Sequence, residues 1–114
     1  KNYTVQKLLE CGAKEIHLRI ACPPLMFPCK FNYSTRSIQE LAARRAIRDI
    51  EGKDIKDVDA YLDDGGAKYK KMVEWIAKDI GVTTLKYQKL DDMIKAIGLP
   101  KDNLCLYCWT GRHP

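Results

Sequence analysis

Two cysteines stand close together near the chain end, in Asn103-Leu-Cys105-Leu-Tyr-Cys108-Trp-Thr-Gly111. This spacing aims both sulfurs at one centre, as zinc or an iron–sulfur cluster requires. A redox pair of the thioredoxin kind would instead open a helix after a strand. Here the pair follows a predicted helix, and two buried structural thiols are the plain alternative. A tetrahedral metal site needs further donors. Cys29 is a candidate third ligand, because prolines stiffen its loop, Cys22-Pro-Pro-Leu-Met-Phe-Pro-Cys29. The fourth ligand stays open among Cys22, Cys11 and His113. His17 falls on a predicted strand and is read as a structural histidine. Asp63 and Asp64 read as a turn rather than a metal pair, since no other ligands sit at a calcium-loop spacing.

Other chemistries leave no trace. The sequence has no recognisable nucleophile triad, Walker loop or dinucleotide fingerprint. No pair of carboxylates stands out for acid–base work. Twenty basic and fifteen acidic residues give a formal net charge of +5. The charges are interspersed, with no long block of one sign, which argues against a nucleic-acid partner. An odd count of five cysteines does not suit a secreted disulfide framework. A reducing compartment fits better, and the cytoplasm is the expected location. No apolar run is long enough for a transmembrane helix, so no membrane partner is expected. The chain opens on Lys1 without a signal-peptide pattern, and a piece of a longer protein is expected.

The elements that position these cysteines can be read from periodicity. Val5, Leu8 and Leu9 lie at helical spacing within residues 1–11, with Asn2 a weak cap and Gly12 a stop. Ile16, Leu18 and Ile20 alternate with His17 and Arg19, which predicts a strand over 15–21. Pro23 and Pro24 end it. The apolar residues of the following loop imply that it packs against something. Ser37-Ile-Gln-Glu40 predicts a capping box, opening a helix to about Ile50 that carries Arg44, Arg45 and Arg48 as solvated side chains. The acidic stretch 51–66 reads as a loop with one short turn around Val58 to Leu62. Tyr69, Met72, Val73, Ile76 and Ile80 predict a core helix ended by Gly81. A strand over 83–87 follows, then a last helix through Leu90, Met93, Ile94 and Ile97.

Three segments together resemble the amidophosphoribosyltransferase family, also called glutamine phosphoribosylpyrophosphate amidotransferase. The first is Val5-Gln-Lys-Leu-Leu-Glu-Cys-Gly-Ala-Lys-Glu-Ile-His-Leu-Arg-Ile-Ala-Cys-Pro-Pro24. The second is Phe27-Pro-Cys29, followed by Ser34-Thr-Arg-Ser-Ile-Gln-Glu-Leu-Ala-Ala43. The third is Cys105-Leu-Tyr-Cys108-Trp-Thr-Gly111. Their order and approximate spacing match, and the first is the most specific. The resemblance covers most of this chain and about the last quarter of the family's length.

The resemblance implies an α/β fold: the carboxyl-terminal portion of a type I phosphoribosyltransferase fold, with an incomplete parallel sheet and flanking helices. Residues 1–114 would form a single partial domain with a cysteine-bearing tail. The family makes 5-phosphoribosylamine from phosphoribosylpyrophosphate and glutamine-derived ammonia in purine biosynthesis, with magnesium, as a homo-oligomer. Its 5-phosphate loop would end just before the helix at residues 1–11, a helix N-terminus being a ready anion site. No catalytic residue carries over, so the piece alone is expected to be inactive. One branch of the family holds a structural 4Fe–4S cluster on four cysteines. Cys29, Cys105 and Cys108 match three of them, and the fourth would lie outside this sequence. The isolated piece is then expected to be colourless, or to take zinc with Cys22 or His113 as a makeshift fourth ligand. A freestanding zinc- or iron–sulfur-binding interaction module is the rival reading. The stretch 51–71 resembles an insertion of open role, and unpaired strand edges would invite self-association.

Overall fold

The computed structural model describes residues 3–31, 33 and 37–112. Two four-residue strands, β1 (His17–Ile20) and β2 (Thr84–Tyr87), lie parallel and in register, with Leu18 opposite Leu85 and Ile20 opposite Tyr87. Parallel neighbours need a long crossover. Here it runs through α2 (Ala42–Glu51) and α3 (Ala67–Ile80). Helix α1 (Tyr3–Glu10) leads into β1, α4 (Leu90–Ile97) follows β2, and a four-residue helix α5 (Tyr107–Thr110) closes the chain.

The period-two pattern of β1 sorts its side chains by face. Leu18 and Ile20 pack with Leu85 and Tyr87 onto the core. His17, Arg19, Thr84 and Lys86 take the opposite face. There Arg19 Nη1 donates to Thr84 Oγ1 at 2.9 Å, and His17 Nδ1 shares a 2.8 Å hydrogen bond with the same oxygen. His17 Nε2 lies 2.9 Å from Glu15 Oε2. Both ring nitrogens are thus partnered, as the structural reading of this histidine expects.

The core lies between the sheet, α2 and α3. Ala43, Ala46 and Ile47 of α2 meet Met72 and Ile76 of α3, with Met26, Val58 and Tyr61 supplied by loops. At the rim of the α2–α3 contact, Trp75 Nε1 donates to Asp49 Oδ2 at 2.6 Å and Arg45 pairs with Asp79 at 2.8 Å. Gly81 ends α3 with φ near 81°, the left-handed conformation that favours glycine at this position.

Three details depart from the sequence reading. Ser37 accepts a hydrogen bond from Gln39 N, but the turn it caps is a 3₁₀ turn at Ile38–Glu40. Helix α2 starts afresh after an extended Leu41. The extended Leu41 interrupts what the capping-box pattern treats as one helix. The three arginines of α2 are also engaged rather than merely solvated. Arg44 Nη2 donates to Ile55 O at 2.8 Å, Arg45 pairs with Asp79, and Arg48 reaches Asp54 at 3.9 Å. Finally, the acidic stretch makes the short turn expected of it, but that turn reaches into the core. Its 3₁₀ turn, Asp59–Tyr61, drives Tyr61 and the preceding Val58 into the core while the aspartates face water. Tyr61 keeps its hydroxyl satisfied by donating to Glu51 Oε1 at 2.6 Å.

Candidate metal centre

The proline-rich loop and the tail meet backbone to backbone. Met26 N and Phe27 N both donate to Cys108 O, at 2.8 and 3.0 Å. Met26 is buried, which anchors the loop from beneath. The Phe27 ring lies 5.7 Å from Tyr107 in a tilted pair, and the Arg44 guanidinium sits 5.6 Å above Phe27. A Cβ at Gly111 would come within 2.7 Å of the Phe27 ring, and its φ of 73° is left-handed besides. Glycine is therefore needed there twice over: for the backbone turn that ends α5, and for the ring beside it.

This clamp places the thiols. Cys29 and Cys105 both lie close enough to Cys108 to act on its thiol. Burial pushes the Cys108 thiol up, and Cys29 and Cys105 push it the same way. Cys105 is exposed, whereas Cys29 and Cys108 are half-buried. The three cysteines singled out in the sequence are thus neighbours. They do not yet converge on one point: among the described residues, no group of three His, Cys, Asp or Glu side chains is arranged to hold a metal ion.

The candidate fourth ligands fall elsewhere or outside the described residues. Cys11 is exposed in the turn after α1. Cys22 is near enough to Tyr87 to help raise that phenol to about 12, behind burial and Tyr69. His113 lies outside the described residues, as do Asn2 and Ser34–Arg36. Asp63 makes the turn expected of it, accepting from Gly65 N at 3.1 Å while its carbonyl accepts from Gly66 N at 2.9 Å.

Beside the clamp, a cavity of about 60 Å³ opens at the carboxyl ends of the two strands. Pro23 and Pro24 line it after β1, Gln88 and Lys89 after β2, and Trp109 from the tail. Its walls are mainly apolar. The packing expected of the loop's apolar residues includes the Phe27–Tyr107 contact, whereas nothing in the sequence pointed to Arg44 over the Phe27 ring.

The two parallel strands and their helices make this an α/β protein, with Cys29, Cys105 and Cys108 near the junction of loop and tail. No family profile matches the chain, and no solved structure matches it. Curated relatives do. A protein of Methanocaldococcus jannaschii is 33% identical over 110 residues, covering 96% of this chain and 18% of its own length. One from Mycobacterium leprae is 34% identical over the same share of the chain and 16% of its own length. A chloroplastic protein of Glycine max is 32% identical and matched over 15% of its length. All three are named amidophosphoribosyltransferase. Over nearly its whole length, therefore, the chain is homologous to one segment of amidophosphoribosyltransferase. The segment is under a fifth of each relative, shorter than the quarter expected. Among the described residues, no helix is long and apolar enough to cross a membrane.

Proposed function

We propose that this chain is a structural segment of an amidophosphoribosyltransferase, the enzyme that makes 5-phosphoribosylamine from phosphoribosylpyrophosphate and glutamine-derived ammonia in purine biosynthesis. The observation that carries this is the end-to-end similarity to enzymes of that name. Magnesium, phosphoribosylpyrophosphate and glutamine are partners of the whole enzyme, which we take to be a cytoplasmic homo-oligomer. None of the chain's own residues is assigned to them, and the chain alone is inactive.

Within that enzyme, Cys29, Cys105 and Cys108 take three corners of a metal site. Three neighbouring thiols suit a soft centre such as a 4Fe–4S cluster or zinc. The clamp of Met26, Phe27 and Gly111 holds loop and tail together, which supports this reading. The fourth donor comes from another part of the enzyme. A cluster bound there supplies no reaction step; it cross-links loop and tail, as a structural metal does.

Two measurements test this. The whole polypeptide containing this segment should release pyrophosphate from phosphoribosylpyrophosphate when glutamine is supplied, and this chain alone should release none. A whole polypeptide without that activity overturns the assignment. Metal and sulfide analysis of the whole polypeptide, purified without oxygen, should find the site filled, and Cys108→Ser should empty it. An unchanged metal content in that variant removes the three-thiol site.

A further inference from the structure

We propose that the cavity beside the clamp is a binding site for a short uncharged carbonyl compound, a small ketone or ester, whose oxygen accepts from Trp109 Nε1. The inference uses neither the thiols nor the enzyme assignment. It starts from a polar atom without a partner. The indole N–H of Trp109 is shut off from solvent and meets no acceptor. The same side chain lines the cavity. The other tryptophan shows the usual arrangement, since Trp75 Nε1 donates to Asp49 Oδ2 at 2.6 Å. A buried N–H left without an acceptor is costly, so an occupant that supplies one removes that cost on binding.

The other walls fix the kind of occupant. Pro23, Pro24, Met26 and Leu62 are apolar. Tyr61 lines the cavity with its hydroxyl already donated to Glu51, and the Thr110 hydroxyl donates to Leu106 O at 3.1 Å. A water there would satisfy the indole but give up hydrogen bonds that mainly apolar walls do not return. A carbonyl oxygen only accepts, and the alkyl groups beside it suit the walls. Asp64 and Lys89 also line the cavity, both exposed and of opposite sign, so neither an anion nor a cation is favoured. Size sets the length. An apolar cavity of about 150 Å³ accepts benzene. The present one, of about 60 Å³, leaves room for roughly three carbons and the oxygen on the same scale.

The test titrates acetone into the isotope-labelled chain and follows its two indole N–H signals by NMR. The Trp109 signal should move to a saturating end point, while the Trp75 signal, held by Asp49, stays in place. Either Trp109→Phe or Trp75→Phe assigns the two signals, so only one of these variants has to fold. In Trp109→Phe, acetone affinity read from the Met26 methyl signal should fall about three- to tenfold, the worth of one hydrogen bond. Leu62→Trp, which fills the cavity, should abolish the response. Acetate and methylammonium ions should shift the Trp109 signal less than acetone does. A Trp109 signal that stays still, that moves in step with Trp75, or that responds more to either ion overturns the proposal. So does a Trp109 N–H in contact with a water that acetone leaves undisturbed. Loss of the metal site or of the enzyme assignment would leave this result standing.

Discussion

Helices α3 and α4 look alike in the sequence: each carries an apolar stripe at helical spacing and each stops at a glycine. In the fold they part company. Helix α3 buries Met72 and Ile76 completely, between α2, β2 and the turn at Asp59–Tyr61. Helix α4 buries no residue; its last residue, Ile97, and Leu99 just beyond it stand half exposed. Helix α1 resembles α4, burying Val5 alone while Leu8 and Leu9 face out. Periodicity tells that a helix has an apolar side, not that a partner layer is present. The difference marks which side of this segment is finished. The face built by α2 and α3 is closed, and the flanks at α1 and α4 are not.

The largest effect separates the two helices directly. Met72→Ala should destabilise the chain by about 2–5 kcal/mol, the usual cost of a cavity in a closed core. Met93→Ala on α4 should cost under about 1 kcal/mol, because that side chain is only half-buried and its surroundings can collapse or admit water. Urea unfolding of both variants checks this. Equal losses would erase the distinction between a finished and an unfinished side.

Next in size is Gly111→Ala. The alanine must hold a left-handed backbone, at about 1–3 kcal/mol, and its Cβ must displace the Phe27 ring. The clamp should loosen, so Cys108 should react faster with a thiol reagent than in the parent chain. Gly98→Ala offers the comparison on the open side. Its φ is similarly left-handed at 76°, but nothing lies within 4 Å of the added carbon. It should show the backbone penalty and leave Cys108 reactivity unchanged.

These contrasts also measure how far sequence carries. Both strands, all four longer helices and the three thiols were legible, because each follows from period, punctuation or a short spacing. The turn expected around Val58 to Leu62 is there, at Asp59–Tyr61, but the burial of Val58 and Tyr61 was not legible, because a single tyrosine and valine among aspartates make no period. Arg44 was read as solvated because its helix-face position is polar. In the fold its guanidinium donates to Ile55 O and lies over the Phe27 ring. The clamp as a whole joins segments from opposite ends of the sequence. Nothing local in either segment announces the other.

A pH series sharpens the closed side. Burial, and then the hydrogen bond to Glu51, push Tyr61 up to about 12; burial, with Tyr69 and Cys22, does the same for Tyr87. An unfolded tyrosine ionises near pH 10. Below that value both states keep the proton, and the full contribution to stability is present. Between pH 10 and 12 the unfolded chain loses its protons while the folded one holds them, so stability should fall across that window. Tyrosinate absorbance should show Tyr61 and Tyr87 titrating late, with Tyr69 also raised by burial, and Tyr61→Phe should remove one late phenol. A stability unchanged from pH 9 to 12 would mean that these phenols are not enclosed as described.

The smallest effect on folding should come from the open flank, and it tests what the flank is for. Ile97→Ser with Leu99→Ser replaces two half-exposed apolar side chains beyond the core, so unfolding free energy should shift by no more than about 0.5 kcal/mol. Association should respond more. Each strand has one hydrogen-bonded neighbour among the described residues, and its outer edge is unpaired there. Such edges, beside exposed leucine and isoleucine, draw chains together. Sedimentation over a range of concentrations should show the parent chain self-associating and the double variant doing so less. If the variant unfolds readily instead, α4 is stabilised by its apolar tip, and the flank belongs to the core rather than to a surface open to association.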